Sequence, residues 1–271
     1  MTNVSSDQQS ERPPSRIVVV GASSGLGRCI GVHLGQNGAR VALLARREDE
    51  LATACAEAGD SAVAIRCDVT DEAGVNRAID EAAERLGGID GLLYSTGMGT
   101  VRPIEDTDAT LWRRTFDTNV IGASLVTSAA LPHLKASHGV AAYLSSVSGS
   151  LTPPWPGLAN YAVSKAALER LIEAWRGEHP DVGFTTVIVG DCTGGEGDAQ
   201  TQFSAGWDGE MAARYAPIWM QRGLLAGALL DVNELIAAVE MVLFRGSSAD
   251  IPKIAVTPRL PPSSPAEAKE S

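Results

Sequence analysis

Arg16–Gly27 reads RIVVVGASSGLG, a run of β-branched residues that breaks into a glycine-rich turn. Branching at Cβ suits a pleated backbone, so Arg16–Val20 is predicted as a buried strand. A helical stretch follows as far as Gly38, a residue that ends helices because it enters left-handed backbone freely. A glycine-rich turn between a strand and a helix brings backbone N–H groups close to an anion, and the helix N-terminus adds positive potential. Gly21, Ser23, Ser24, Gly25, Leu26 and Gly27 are therefore the candidate cradle for a nucleotide diphosphate. The spacing is GxxxGxG rather than GxGxxG, and a purely structural turn is the competing explanation.

Outward from this turn, strand-like and helix-like segments alternate. Val41–Ala45, Ala62–Arg66, Ile89–Ser95, Val140–Ser145, Gly183–Val189 and Ile251–Val256 are the further candidate strands. Between them lie helical patterns at Glu48–Ala58, around Val75, Ile79, Ala82 and Leu86, at Asp108–Lys135 and at Leu158–Arg176, with a late amphipathic stretch at Leu235–Leu243. Strands this continuously apolar are covered on both faces, which requires crossover helices and a parallel sheet. The expected fold is α/β: a single doubly wound Rossmann-type domain over residues 16–259, with a mostly parallel, seven-stranded sheet. Ligands would then sit at the carboxyl ends of the strands. The Pro- and Ser-rich ends, residues 1–15 and 260–271, are expected to be disordered tails.

Among the 271 residues, 22 Lys and Arg stand against 33 Asp and Glu, a net charge of −11, which argues against nucleic acid as a partner. No apolar stretch approaches the roughly 18 residues needed to span a bilayer, and the N-terminus lacks a secretory apolar core. A cytoplasmic protein without a membrane partner is expected. Cys29, Cys55, Cys67 and Cys192 lack metal-site spacing and are expected to be small reduced core side chains, and the four histidines, also without ligand spacing, are expected to be structural or exposed. The acidic residues Asp191, Glu196 and Asp198 are taken as a solvated loop, so no metal is expected.

The end of the second strand selects the cofactor. An acid there would bind a ribose 2′-hydroxyl, whereas arginine accommodates a 2′-phosphate. Ala45 takes the acid's place and Arg46 and Arg47 follow, so NADP(H) is the predicted cofactor. Solvated arginines at a helix start are the alternative. Tyr161 and Lys165 form a Tyr-x-x-x-Lys pair, whose spacing puts both on one helix face. A phenol ordinarily ionises near pKa 10, and a nearby ammonium favours the phenolate, so such a pair can move a proton at a carbinol oxygen.

GASSGLG, Asn119-Val120-Ile121-Gly122, Ser145-Ser146 at the fifth strand's end and Tyr161-Ala-Val-Ser-Lys165 occur in one order over about residues 16–190. As a set they resemble the short-chain dehydrogenase/reductase family. The resemblance implies a reaction between a carbonyl and a secondary alcohol, with Tyr161 as general acid/base and Ser146 holding the substrate oxygen. Lys165 would lower the tyrosine pKa and bind the nicotinamide ribose, and Asn119 would support a proton-relay water. Asp68 and Val69 would contact the adenine, Gly97 would line the cofactor site, and Thr193 would meet the carboxamide. A helix-cap role for Asp68 is the alternative. The family also implies a homodimer or homotetramer, formed through the helices at Asp108–Lys135 and Leu158–Arg176.

The chain departs from the family's pattern in places. Val20 replaces a threonine before the first glycine, and Tyr94-Ser95-Thr96-Gly97 stands where Asn-Asn-Ala-Gly is common. Pro153-Pro154-Trp155-Pro156 lengthens the stretch between Ser146 and Tyr161, which leaves Ser148 a rival for the serine role. The segment from about 194 to 227 is expected to be a helical substrate lid. Phe203, Trp207, Met211, Tyr215 and Trp219, with Trp155 opposite, would line a pocket for a hydrophobic substrate, or serve as ordinary core or subunit-face residues. Two other functions fit the same motifs: a regulatory protein that binds NADP(H) without turnover, or epimerisation or dehydration on the same fold.

Overall fold

The computed structural model describes residues 15–225, 227–245 and 249–259. The two predicted tails fall almost wholly outside the described residues. Seven strands form one sheet: β1 (Arg16–Val20), β2 (Arg40–Ala45), β3 (Ala62–Arg66), β4 (Gly91–Tyr94), β5 (Val140–Ser146), β6 (Gly183–Val189) and β7 (Lys253–Val256). Their spatial order is β3-β2-β1-β4-β5-β6-β7, and every pairing is parallel. The order reverses between β1 and β4, where Val20 pairs with Tyr94, and a crevice opens at such a reversal.

The helices are α1 (Gly25–Gln36), α2 (Glu48–Ala58), α3 (Glu72–Leu86), α4 (Ala109–Phe116), α5 (Gly122–Ser137), α6 (Val147–Ser150), α7 (Ala159–Glu178), α8 (Gly209–Gln221) and α9 (Val232–Leu243). They cover both faces of the sheet, and β1 shows why its sequence is apolar throughout. Successive strand side chains point to opposite faces. Val18 and Val20 enter a core shared with α3 and α5, while Ile17 and Val19 enter another shared with α1 and α9.

The long helix predicted over Asp108–Lys135 is not regular. A π-helical turn at Asp117–Ile121 joins α4 to α5, where the ladder skips to i→i+5 bonding. Apolar periodicity carries on either side of such a turn and does not reveal it.

Candidate active site

The glycine turn sits under close steric control. A Cβ on Gly27 would lie 2.2 Å from Ser95 Oγ and 2.5 Å from the Gly21 carbonyl oxygen. Gly25 opens α1 at φ +59°, a conformation that side chains rarely adopt. Ser24 caps α1 without a side-chain hydrogen bond, and the first turn holds no acidic residue. By contrast α2 opens with Glu48, Asp49 and Glu50. The N-terminal potential of α1 is therefore left for an anion from outside the helix, which is the donor chemistry a diphosphate requires.

One cleft of about 1000 Å³ runs along the carboxyl ends of the strands. It brings together all the predicted cofactor residues: the Gly21–Gly27 cradle, Arg46, Arg47, Asp68, Val69, Gly97, Tyr161, Lys165 and Thr193. Arg47 is tied into this wall. Its guanidinium donates to Ser23 Oγ at 2.8 Å and Ser24 Oγ at 2.7 Å, and pairs with Glu50 at 3.2 Å. Arg46 beside it is exposed. Burial alone would raise the Asp68 carboxyl, but the Thr70 N–H and hydroxyl, together with Arg46 and Arg66, hold it below its ordinary value.

The turn after β4 is rebuilt around serine in place of asparagine. Ser95 donates its backbone N–H and its hydroxyl to the Val20 carbonyl, at 2.9 and 2.6 Å, closing β4 onto β1. The side-chain bond to the sheet is thus kept with a different residue type.

At the other end of the cleft, β5 delivers Ser146 and α7 delivers Tyr161 and Lys165. Tyr161 and Ser146 line the same stretch of cleft, and the serine hydroxyl favours the phenolate. Ser148 Oγ lies 3.0 Å from Ser146 Oγ and lines the same cleft. Lys165 Nζ donates to the Leu144 carbonyl at 2.7 Å and stands 5.7 Å from the Tyr161 ring centroid. Burial dominates both titrations: it pushes the phenol up to about 12, against the lowering effect of Ser146, and the ammonium down to about 8. Desolvation of the phenolate sets the direction of the Tyr161 shift, while the lysine's hydrogen bond goes to the strand.

Asn119 stands behind the cleft rather than in it. Its Oδ1 accepts from the Met98 N–H at 2.8 Å, and its Nδ2 donates to the Met98 carbonyl and to Ser164 Oγ, both at 2.8 Å. One side chain thereby fixes the π turn, the strand-four loop and α7 against each other.

The lid segment supplies an aromatic wall. Phe203 packs on Tyr161 with ring centroids 4.5 Å apart, and Trp207, Trp219 and Trp155 continue the contact outward. All three indole N–H groups are used inside the protein: Trp207 on the Gly99 carbonyl, Trp219 on the Pro156 carbonyl and Trp155 on Thr152 Oγ1.

The sequence matches the family model described as short chain dehydrogenase over residues 15–202. The chain belongs to the short-chain dehydrogenase family. Its members are oxidoreductases that use a nicotinamide cofactor. The chain is 34% identical over 180 residues, 64% of its length, to 11-beta-hydroxysteroid dehydrogenase A of Sesamum indicum. It is 34% identical over 161 residues, 57% of its length, to cis-4-hydroxycyclohexanecarboxylate dehydrogenase of Sinomonas cyclohexanicum. The matches span 51% and 63% of those relatives. Among solved structures, a short-chain dehydrogenase from Streptomyces avermitilis superposes with a TM-score of 0.75 at 28% identity, covering 90% of this chain and 88% of that one.

Sequence reading alone passed over Glu169, one helical turn beyond Lys165 and 4% exposed. The signal was present as a third polar residue at a spacing of four on the Tyr161–Lys165 face. Among the described residues, no helix is long and apolar enough to cross a membrane.

Proposed function

We propose that this chain is an NADP(H)-dependent oxidoreductase that interconverts a carbonyl and a secondary alcohol on a hydrophobic substrate, with Tyr161 as general acid/base. The observation that carries this reading is that Tyr161, Ser146 and Lys165 meet in the same cleft as the uncapped, acid-free N-terminus of α1. The Gly21–Gly27 cradle would hold the diphosphate, Asp68 and Val69 the adenosine side, and Arg46 with Arg47 the 2′-phosphate. Gly97, Lys165 and Thr193 would hold the nicotinamide half. When bound, the nicotinamide supplies or accepts the hydride.

Ser146 donates a hydrogen bond to the substrate oxygen, and Tyr161 passes a proton to it or takes one from it. A phenol pushed up to about 12 is protonated at neutral pH, the form needed to protonate an oxygen during carbonyl reduction. Oxidation requires the phenolate, and there the positive charge of Lys165 favours it electrostatically. Asn119 holds the helix turn behind this pair and supports a relay water.

The aromatic wall and its occupied indole N–H groups favour an apolar substrate. The names of both relatives describe ring alcohols, so we take the substrate to be an alicyclic secondary alcohol or its ketone. We further propose a cytoplasmic homodimer or homotetramer, in keeping with the exposure of Ile121 before α5 and Val163 on α7. The test follows absorbance at the NADPH band across a panel of cyclic ketones and alcohols. Tyr161→Phe should bind NADP(H) yet lose about 10²- to 10⁴-fold in turnover. Undiminished turnover removes Tyr161 from the role.

A further inference from the structure

Glu169 is a carboxylate with 4% exposure in the interior of α7, and its hydrogen bonds are unusually directed. Oε1 accepts from Ser145 Oγ at 2.8 Å and from Ser150 Oγ at 3.0 Å. These serines lie on either side of Ser146, one at the end of β5 and one at the end of α6. Oε2 pairs with Lys253 Nζ of β7 at 2.9 Å. Lys165, one turn earlier on the same helix, grips the Leu144 carbonyl, the residue next to Ser145. A Cβ on Gly149 would lie 3.0 Å from Glu169 Oε1 and 3.2 Å from Lys165 Cβ, so the Ser146-bearing turn presses on both residues.

We propose that Glu169 is a positioning residue: it clamps the turn that carries Ser146 and serves as the buried counter-charge to Lys165, with Lys253 as its own partner. The part of this that concerns turnover rests on the function proposed above; the electrostatic part does not. A buried carboxylate is costly without cationic partners; this one is ion-paired with Lys253, which is partly exposed, and acts through space on the enclosed Lys165 one helical turn away. Among the described residues, the recorded neighbours of Lys165 Nζ from other elements are neutral: the Leu144 carbonyl of β5 and Gly97 after β4. Tyr161 and Glu169 face it from its own helix, and Lys253 acts from β7 through Glu169. Burial drives the Lys165 ammonium down to about 8, and Glu169 is the charge that opposes this. Without Glu169 the lysine would lose its proton near neutral pH, and Tyr161 would lose the positive charge beside it.

The chain has only four lysines, Lys135, Lys165, Lys253 and Lys269, so each can be followed in one spectrum. Protein labelled with [¹³Cε]lysine is titrated by NMR without substrate or cofactor, the Lys165 signal being assigned by its loss in Lys165→Met. Glu169→Gln keeps an acceptor for the two serines and removes the charge, so the Lys165 midpoint should fall by about one pH unit or more. Lys253→Met leaves Glu169 with one cation, and the midpoint should rise. A midpoint unmoved in Glu169→Gln overturns the proposal; should that variant fail to fold, an unmoved or lowered midpoint in Lys253→Met overturns it. In kinetics, the alkaline limb of kcat/KM should shift to lower pH in Glu169→Gln and return in Glu169→Asp. If the wild type turns over no carbonyl or alcohol, the proposed function fails while the titration still decides the role of Glu169.

Discussion

Lys165 and Leu144 are joined by a 2.7 Å hydrogen bond from the ammonium to the strand carbonyl, at a site where the lysine is 4% exposed. The bond docks α7 on the end of β5 and fixes the distance between the tyrosine helix and the serine strand. A single carbonyl does not replace the hydration of an ammonium, and the low value of about 8 reflects this.

Stability should therefore depend on pH through Lys165. Its folded value lies below the ordinary 10.5, so between about 8 and 10.5 the unfolded chain binds the extra proton and stability rises with pH. Below 8 the lysine costs on the order of 3 kcal/mol, less what its hydrogen bond returns. Lys165→Met should raise Tm by a few degrees at pH 7, and the gain should shrink towards pH 10. Calorimetry at the two pH values checks this; a gain that grows with pH contradicts the sign.

Arg46 and Arg47 should separate as mutants. Arg47 is bonded to Ser23, Ser24 and Glu50, so Arg47→Ala disturbs the cradle as well as the 2′-phosphate site and should weaken both cofactors, NADP more than NAD. Arg46 is exposed on the cleft wall, so Arg46→Ala should lower kcat/KM for NADP by about tenfold to a hundredfold and leave NAD nearly unchanged. Equal use of both cofactors by the wild type would count against the NADP(H) assignment.

The lid should respond to loss of one indole bond. Trp207 joins the lid to the Gly99 carbonyl at 3.1 Å and packs edge-on against Phe203. Trp207→Phe keeps a ring and removes the bond, and should raise KM for the ketone several-fold with cofactor Kd unchanged. A larger effect on cofactor binding than on ketone KM would place Trp207 in a different role.

What could be read before the structure was local in character. Gly21–Gly27, Ala45-Arg46-Arg47 and Tyr161/Lys165 each declare themselves within one turn or one helical repeat, and the alternating segments imply the parallel sheet. What stayed hidden depended on distant partners. Glu169 looks like a surface acid until Ser145, 24 residues away, and Lys253, 84 residues away, close on it. The π turn around Asn119 leaves the apolar pattern intact on both sides. The direction of the Tyr161 shift follows from burial, which a motif does not encode.

The three tryptophans around the cleft have already committed their N–H groups to Gly99, Pro156 and Thr152, and the consequence concerns selectivity. A wall of ring carbons sorts molecules by thickness and shape and is indifferent to where their oxygens lie. Hydroxyl donors are found instead on Ser146, Ser148 and Tyr161, which line the same cleft. Such an enzyme would accept many skeletons and still react at one position of each.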